Sequence, residues 1–438
     1  MRIKKSCAIV LILALILSLC GCSLKDGTED SLLKPPRPAG EMYEIQQALE
    51  KAVTSNYTLK YPTSGDYRSA ILQHDINGDG KDEAFAFYST VADNTVTMHI
   101  NLIINDNDSW RSVGNFRCVA SGVETVDFKD MDADGVKEIL VGWSVYGTVD
   151  KALGIYSFAE NKFLQRAMES YTHYLCEDID SDSNKEVFIS HLDSKNQSAK
   201  AKLIRLTDTG LLELGNCMLD STATTYYAPI IGKLANGSTA IYFDAVKGGG
   251  LITEILEIKD SIMTDALLSA DGTRASTYRT SSAQIRDIGN DGVYEIPQTI
   301  LLTQTPGAES ENIYITEWYT LEGGKLKHTL SALMNYVDGY YVTVPQKWKG
   351  KITVTRETPN RIRNIMAIDA KTGNSADVLV RIQTVPISQK SEEGAIKIEN
   401  ATEIARNKDY CYMVSISETA HNTAVTLEEF KQLFKIID

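Results

Sequence analysis

The chain alternates short apolar runs with polar, acidic turns over most of its length, a pattern typical of β-strands. The runs Ala84–Tyr88, Ile139–Trp143 and Val187–Ser190 each directly follow an acidic segment. Two further runs lie between successive acidic segments, for example Val96–Ile104 and Trp110–Arg117. The pattern therefore predicts four strands in each unit of about fifty residues, which is the size of a propeller blade.

The acidic segments share a nine-residue pattern, D-x-[D/N]-x-D-[G/S]-x-x-E. Side chains with oxygen ligands at positions 1, 3, 5 and 9, together with a backbone carbonyl at position 7, suit Ca²⁺. The same residue types also dominate ordinary polar turns, which is the alternative interpretation. The candidate ligands are Asp75, Asn77, Asp79 and Glu83; Asp130, Asp132, Asp134 and Glu138; Asp178, Asp180, Asp182 and Glu186; and, in a weaker copy with Gly289 at position 3, Asp287, Asp291 and Glu295.

The spacing of these copies predicts a repeat architecture. Successive copies begin 55, 48 and 109 residues apart, and the last interval is about two periods. A hidden repeat is therefore expected near residue 232, where Gly232–Phe243 keeps an Asn236-Gly237 turn and the following apolar run without any ligand carboxylate. Five units favour a five-bladed propeller, in which a strand at Tyr67–His74 would complete the last blade and remove the open edge.

An EF-hand is excluded because position 12 of the copies holds Ala86, Val141, Ile189 or Gln298 rather than an acid. The loops instead resemble the calcium loops of FG-GAP and VCBS repeats, the β-propeller repeats of integrin alpha chains and many bacterial surface proteins. The resemblance covers roughly residues 60–335. It implies a calcium-stabilised β-propeller.

The N-terminal residues have the pattern of a targeting segment. Arg2, Lys4 and Lys5 precede an apolar stretch, Ala8–Leu19, of signal-peptide length. The segment Leu19-Cys20-Gly21-Cys22 resembles a bacterial lipobox, which implies removal of residues 1–21 and lipidation of Cys22; an uncleaved membrane anchor is the alternative. A proline-containing tether is expected at 22–40. The protein would then be extracytoplasmic and anchored by lipid to the bacterial cell membrane.

Two further pieces flank the repeats. A short amphipathic helix is expected at Glu41–Ser55, within a domain that spans 41–335. The pattern changes after residue 336, and 336–438 is expected to be a small α+β domain. Its last helix should start with a capping box at Thr426 and Glu429 and reach Ile437. Its strands are expected at Tyr340–Val344, Lys351–Thr355, Ile365–Asp369, Ala376–Ile382 and Cys411–Ile416.

Composition and charge disfavour some classes of function but do not identify one. The net charge is −14, and removal of the three basic residues in 1–21 would make it −17, which disfavours nucleic acid as a partner. No G-x-S-x-G, H-E-x-x-H or phosphate-loop motif is present. Four cysteines beyond Cys22 show no C-x-x-C spacing and are expected to be buried free thiols. Trp110 and Trp143 are expected in the core, and Trp348 is the candidate exposed aromatic.

These features predict a mainly β, lipid-anchored, calcium-binding protein that acts at the cell surface as a monomer and binds a protein or a glycan. The alternative is an extracellular carbohydrate-active enzyme on a propeller scaffold. A periplasmic-type solute receptor is disfavoured, since nothing in the pattern resembles two α/β lobes.

Overall fold

The computed structural model describes residues 40–437 apart from 108, 146–150, 194, 208–209, 303–312, 370–374, 393 and 419–421. Within these residues the chain is mainly β, as expected, with six antiparallel sheets and two α-helices. The predicted signal peptide, Cys22 and nearly all of the predicted tether lie outside the described residues. No helix in the described part of the chain is long and apolar enough to cross a membrane.

The first four sheets follow one another along the chain, and each is built mostly from consecutive strands. The first contains β1 (Tyr57–Leu59), β2 (Ile71–His74), β3 (Glu83–Ala92), β4 (Thr95–Asp106) and β5 (Ser109–Cys118). The second contains β6 (Gly122–Lys129), β7 (Glu138–Ser144), β8 (Lys151–Ala159) and β9 (Lys162–Tyr171). The third contains β10 (His173–Glu177), β11 (Glu186–Asp193), β12 (Ser198–Thr207) and β13 (Gly210–Met218). The fourth contains β14 (Thr225–Tyr226), β15 (Ile230–Lys233), β16 (Thr239–Lys247), β17 (Gly250–Lys259) and β18 (Ile262–Asp265).

The last two sheets are not built in simple chain order. The fifth contains β19 (Ile296–Leu301), β20 (Tyr314–Glu322), β21 (Lys325–Asn335), β22 (Tyr340–Thr343) and, paired with β22, the C-terminal β28 (Phe434–Ile436). The sixth contains β23 (Ile352–Glu357), β24 (Ile362–Ile368), β25 (Ser375–Pro386), β26 (Thr402–Arg406) and β27 (Tyr410–Ile416), in the order β23-β24-β25-β27-β26. The helices are α1 (Glu41–Ala52) and α2 (Leu427–Leu433).

Tight hairpins set the register within the sheets. In the turn between β3 and β4, Asp93 and Asn94 have φ values of 49° and 60°. Between β8 and β9, Glu160 and Asn161 have φ values of 52° and 58°. Two-residue turns with positive φ match the twist of the flanking strands, so each fixes the pairing of its hairpin.

The apolar core lies between neighbouring sheets in chain order. One cluster joins the first and second sheets, for example through Phe85 and Trp143, and further clusters join each later sheet to the next. Among the described residues no apolar cluster joins the first sheet to the fifth or sixth. The arrangement is therefore propeller-like, but it does not show a closed ring of five blades.

The predicted role of Tyr67–His74 is wrong. Only Ile71–His74 is a strand, and it pairs with β3 of the first sheet instead of completing the last blade. The physical reason is local: β2 and β3 flank a short acidic turn, so their pairing closes a small loop at little entropic cost. The expected hidden repeat is confirmed, because β15 and β16 flank the Asn236-Gly237 turn.

The C-terminal region confirms the five predicted strands and the capping box. The Thr426 hydroxyl accepts the Glu429 N–H at 3.2 Å, and the Glu429 carboxylate accepts the Thr426 N–H at 2.9 Å. The last helix nevertheless ends at Leu433 and not near Ile437, because Phe434–Ile436 pairs with β22 and covers its free edge. The fifth sheet thus takes strands from both sides of the boundary expected at residue 336.

The expectation for Trp348 is wrong as well. Its side chain is fully buried at 0 % exposure, and its indole N–H donates to the Thr423 carbonyl at 2.6 Å. Trp110 and Trp143 are buried, as predicted. The four described cysteines are free thiols; Cys176 and Cys411 are buried and the other two are half-buried.

Candidate metal centre

Each of the four acidic loops, and the polar loop of the hidden repeat (loop 4), lies directly before a strand. Loop 1 (75–83), loop 2 (130–138) and loop 3 (178–186) connect the strand pairs β2–β3, β6–β7 and β10–β11. Loop 5 (287–295) directly precedes β19, and loop 4 (234–238) connects β15 to β16. The prediction that a strand follows each loop is therefore confirmed.

The four acidic loops share the same internal hydrogen bonds. The glutamate at position 9 is buried in each of them and accepts the backbone N–H of position 2. The first aspartate accepts the backbone N–H of position 6, where positive φ is required. Glycine occupies position 6 in all but loop 3, which has Ser183. The bonds to the glutamates measure 3.1 Å for Ile76–Glu83, 3.0 Å for Met131–Glu138, 3.0 Å for Ile179–Glu186 and 2.9 Å for Ile288–Glu295.

Loops 1 to 3 are stacked on one another by backbone hydrogen bonds. The N–H of Lys137 in loop 2 donates to the Ile76 carbonyl of loop 1 at 2.7 Å. The N–H of Lys185 in loop 3 donates to the Met131 carbonyl of loop 2 at 2.8 Å. The repeated sequence pattern thus becomes a row of acidic loops along one edge of the successive sheets.

Loop 2 contains a cluster of carboxylates that could hold a cation. Carboxylate oxygens of Asp130, Asp132 and Glu138 lie within 4.8 Å of one another. The Oδ1 atoms of Asp130 and Asp132 are buried and have no hydrogen-bond partner among the described residues. Glu138 is 3 % exposed. Because buried carboxylate oxygens without a partner are costly, this donor set fits a hard divalent cation.

The electrostatics of loop 2 support the same conclusion. Burial, aided by the charges of Asp132, Asp134 and Asp130, raises the pKa of Glu138 to about 7. Burial and the neighbouring aspartates also raise the pKa of Asp132. A proton or a cation is therefore needed to hold these groups together near neutral pH.

Loop 3 brings together an equivalent set, Asp178, Asp180 and Glu186, within 4.8 Å. Here, however, the Arg205 guanidinium of β12 enters the loop. Its Nη2 lies 2.8 Å from Asp180 Oδ2 and its Nε lies 2.8 Å from Glu186 Oε1. Its Nη1 lies 2.9 Å from Asp182 Oδ2.

The Arg205 side chain is only 16 % exposed, so its charge is held within the protein. The Ser261 hydroxyl also donates to Asp180 Oδ2, although Asp180 Oδ1 has no partner in the described structure. Burial raises the pKa of Glu186, but the Arg205 charge opposes the increase. A fixed guanidinium thus supplies in loop 3 the positive charge that loop 2 lacks.

The remaining loops offer fewer side-chain ligands for a cation. In loop 1 the Asn77 amide donates to Glu83 Oε1 at 3.0 Å, so the side chain at position 3 is used internally. Loop 5 has Gly289 at that position and no third ligand there. Burial raises the pKa of both Glu83 and Glu295 to about 7. In loop 4 the side-chain Oδ1 of Asn236 accepts the Ser238 N–H at 2.9 Å, as in an ordinary polar turn.

In loops 2 and 3 the structure brings three of the four predicted ligands together, at positions 1, 3 and 9. It also shows two residues that sequence reasoning missed. Arg205 lies directly opposite Glu186 in the β11–β12 register. Ser261 comes from the β17–β18 turn of the next sheet. Aligning the repeats by the pairing of their strands would have identified Arg205, because it lies opposite the glutamate at position 9. Ser261 had no sequence signal.

No family model matches this chain, and no curated protein matches it. Among solved structures it is similar to rhamnogalacturonan lyase YesW, with 10% identity, a TM-score of 0.30 and coverage of 73% of this chain and 76% of that one. It is also similar to exo-beta-1,3-galactanase from Phanerochaete chrysosporium, with 11% identity, a TM-score of 0.24 and coverage of 75% and 79%. A third is the periplasmic gluconolactonase PpgL of Pseudomonas aeruginosa, with 10% identity, a TM-score of 0.21 and coverage of 69% and 83%.

TM-scores this low support no argument about function. The fold and the loops themselves define the class: a mainly β protein of successive propeller-like sheets whose acidic loops could hold a metal ion.

Proposed function

We propose that this chain is a calcium-binding, propeller-like scaffold of the FG-GAP/VCBS type that presents a binding surface for a protein or a glycan. In this proposal Cys22 carries the lipid that anchors it on the outer side of a bacterial membrane. The observation that supports it most is loop 2, where buried oxygens of Asp130 and Asp132 face Glu138 without a partner.

The cation would have a structural role. Extracellular calcium modules bind with a Kd of about 10⁻⁴ to 10⁻³ M. At roughly ten times Kd one site adds about 1.4 kcal/mol to the free energy of unfolding. Because loop 2 is hydrogen-bonded to loops 1 and 3, order gained in one loop supports its neighbours.

The test is a thermal melt of the full chain in detergent with calcium, magnesium or a chelator. Calcium should raise the melting temperature of the wild type by several degrees and magnesium should raise it less, because Mg²⁺ demands a stricter octahedral geometry. Asp132→Asn should reduce the calcium-dependent rise, since it removes the negative charge of a ligand with a buried, unpartnered oxygen but keeps an amide oxygen at that position.

Asp180→Asn is the matched control at the same position of loop 3. It should lower stability in chelator and in calcium alike, because Asp180 already pairs with Arg205. A melt of the wild type that is unchanged by calcium would contradict the proposal. So would an equal loss of the calcium effect in both variants.

A further inference from the structure

A cleft of about 670 Å³ lies where the fifth and sixth sheets meet. Strands β19, β20 and β21 form one side, strands β23 and β24 form another, and the segment Thr280–Gln284 adds a third. The acidic loops do not contribute to it. The side chains that matter here are Thr299, Tyr314, Thr316, Tyr336, Arg356 and Arg363.

The described lining of the cleft carries positively charged side chains, whereas the chain as a whole is acidic. The net charge of the protein is −14, yet the described lining of the cleft contains two arginines and neither aspartate nor glutamate. Arg356 and Arg363 face each other directly in the β23–β24 register. Side chains at directly opposite positions of an antiparallel pair lie close together on the same face of the sheet, so both guanidinium groups can reach one anion.

Arg363 is held in place by the protein. Its Nη1 donates to the Met334 carbonyl at 2.9 Å, and its guanidinium lies 5.9 Å from the centre of the Tyr340 ring. An arginine has five N–H donors in a planar fork, so these contacts are compatible with bidentate binding of a carboxylate. The site therefore does not require either arginine to be unpaired.

The rest of the lining suits a ligand with a ring and hydroxyl groups. Tyr314 is 45 % exposed and Tyr336 is 53 % exposed, and both line the cleft. Thr280, Ser281 and Ser282 offer hydroxyls that can both donate and accept hydrogen bonds. Aromatic faces next to hydroxyl groups pack well against a sugar ring.

We propose that this cleft binds an acidic sugar, with its carboxylate on Arg356 and Arg363 and its ring against Tyr314 or Tyr336. The inference rests on the proposed binding function. Of the two kinds of ligand named there, a protein or a glycan, it selects a glycan with carboxylate groups. It does not depend on calcium.

The experiment is titration calorimetry of the full chain in detergent with oligogalacturonate, a neutral galactose oligosaccharide of equal length and inorganic phosphate. Oligogalacturonate should bind at least about tenfold more tightly than either other probe, because charged hydrogen bonds are the stronger ones. Arg363→Gln and Arg356→Gln should each weaken binding about tenfold, and salt should weaken it in the wild type.

Arg381→Gln is the matched control. Arg381 is exposed and lies on the same sheet as Arg363. It pairs with Asn364, the residue that follows Arg363, and side chains alternate between the faces of a strand, so Arg381 lies on the face away from the cleft. It should leave binding unchanged. Tyr314→Ala serves as a second variant and should weaken sugar binding without affecting phosphate; melting curves of each variant show that it is folded.

The proposal is overturned if the wild type does not bind oligogalacturonate, if phosphate binds as tightly, or if Arg381→Gln weakens binding as much as Arg363→Gln. Repeating the titration with Asp132→Asn separates this inference from the calcium proposal. Acidic-sugar binding by a protein that shows no calcium effect would overturn only the metal site, whereas a calcium effect without sugar binding would overturn only the cleft.

Discussion

Loop 2 and loop 3 have the same length, the same bond from position 2 to the terminal glutamate and the same set of three clustered carboxylates. They differ in what faces the carboxylates. In loop 3 Arg205 pairs with Asp180 and Glu186 of the cluster and with the neighbouring Asp182. In the described structure two buried carboxylate oxygens of loop 2, but only one of loop 3, have no partner. Two loops that match one motif equally well can therefore differ in their need for a cation.

The difference comes from one position on the neighbouring strand. Arg205 lies opposite Glu186. In the second sheet Ile139 pairs with Tyr156, so extending the register by one residue places Ser157 opposite Glu138. Ser157 is buried, and its hydroxyl has no partner among the described residues. The residue that faces the terminal glutamate thus sets whether the loop carries its own positive charge.

The largest expected effect is that of Arg205→Ser, which gives loop 3 the environment of loop 2. Removing one partner from a buried ion pair leaves uncompensated charge and costs about 3–5 kcal/mol. We expect a loss of this size in urea unfolding with chelator. Calcium should restore part of it, because the loop then becomes a cation site.

Arg111→Ser is the control, since it removes an exposed ion pair with Asp106 and should cost less than about 1 kcal/mol. If calcium does not stabilise Arg205→Ser more than it stabilises the wild type, the proposed equivalence of the two loops is wrong.

A smaller effect concerns pH. The pKa of Glu138 is raised from 4.5 to about 7 in the folded protein by burial and by the nearby aspartates. Between these two values the folded state binds more protons than the unfolded state. Without metal, the contribution of Glu138 to the free energy of unfolding is therefore greatest below about pH 4.5. This contribution is lost as the pH rises through about 7.

In chelator, the free energy of unfolding of the wild type should fall between pH 5 and 7.5 by roughly 2 kcal/mol more than that of Glu138→Gln. The variant has no carboxyl group at this position that could lose a proton. Urea unfolding at several pH values measures this slope. Glu160→Gln, at an exposed hairpin turn, should leave the slope unchanged. Equal slopes in wild type and Glu138→Gln would show that the carboxylates of loop 2 are not coupled in this way.

The smallest effect is expected from Gly289→Asp, which gives loop 5 its missing ligand. A Cβ at this position would lie 3.5 Å from the Asp291 carboxylate, which is ordinary van der Waals contact. Calcium should then stabilise the variant more than the wild type by at most about 1.4 kcal/mol at ten times Kd. In chelator the added carboxylate should destabilise it. Gly289→Asn, which adds no charge, is the comparison. If calcium stabilises Gly289→Asp no more than it stabilises the wild type, loop 5 is not a cation site.

Sequence patterns were sufficient for most features that depend on neighbouring residues, although the local pairing of β2 with β3 was missed. They predicted the repeat, the acidic loops before strands, the turn at Asn236-Gly237 and the capping box at Thr426. They failed where distant segments meet. The burial of Trp348 depends on the Thr423 carbonyl, the Arg205 contacts depend on strand register, and the Phe434–Ile436 strand depends on the free edge of β22. A closed ring of blades was inferred from the repeat number alone, and the number of repeats does not determine closure.

The stacking of sheets in chain order also has a consequence for folding. Each of the first four sheets forms from strands that are close in sequence, so its strands can pair early, as the chain leaves the ribosome. The fifth sheet cannot be completed in this way, because β28 pairs with β22 across more than ninety residues. The residues of β28 are therefore required to finish a sheet that was begun much earlier in synthesis. Loss of only a few C-terminal residues should leave β22 with an unpaired edge and expose it to aggregation.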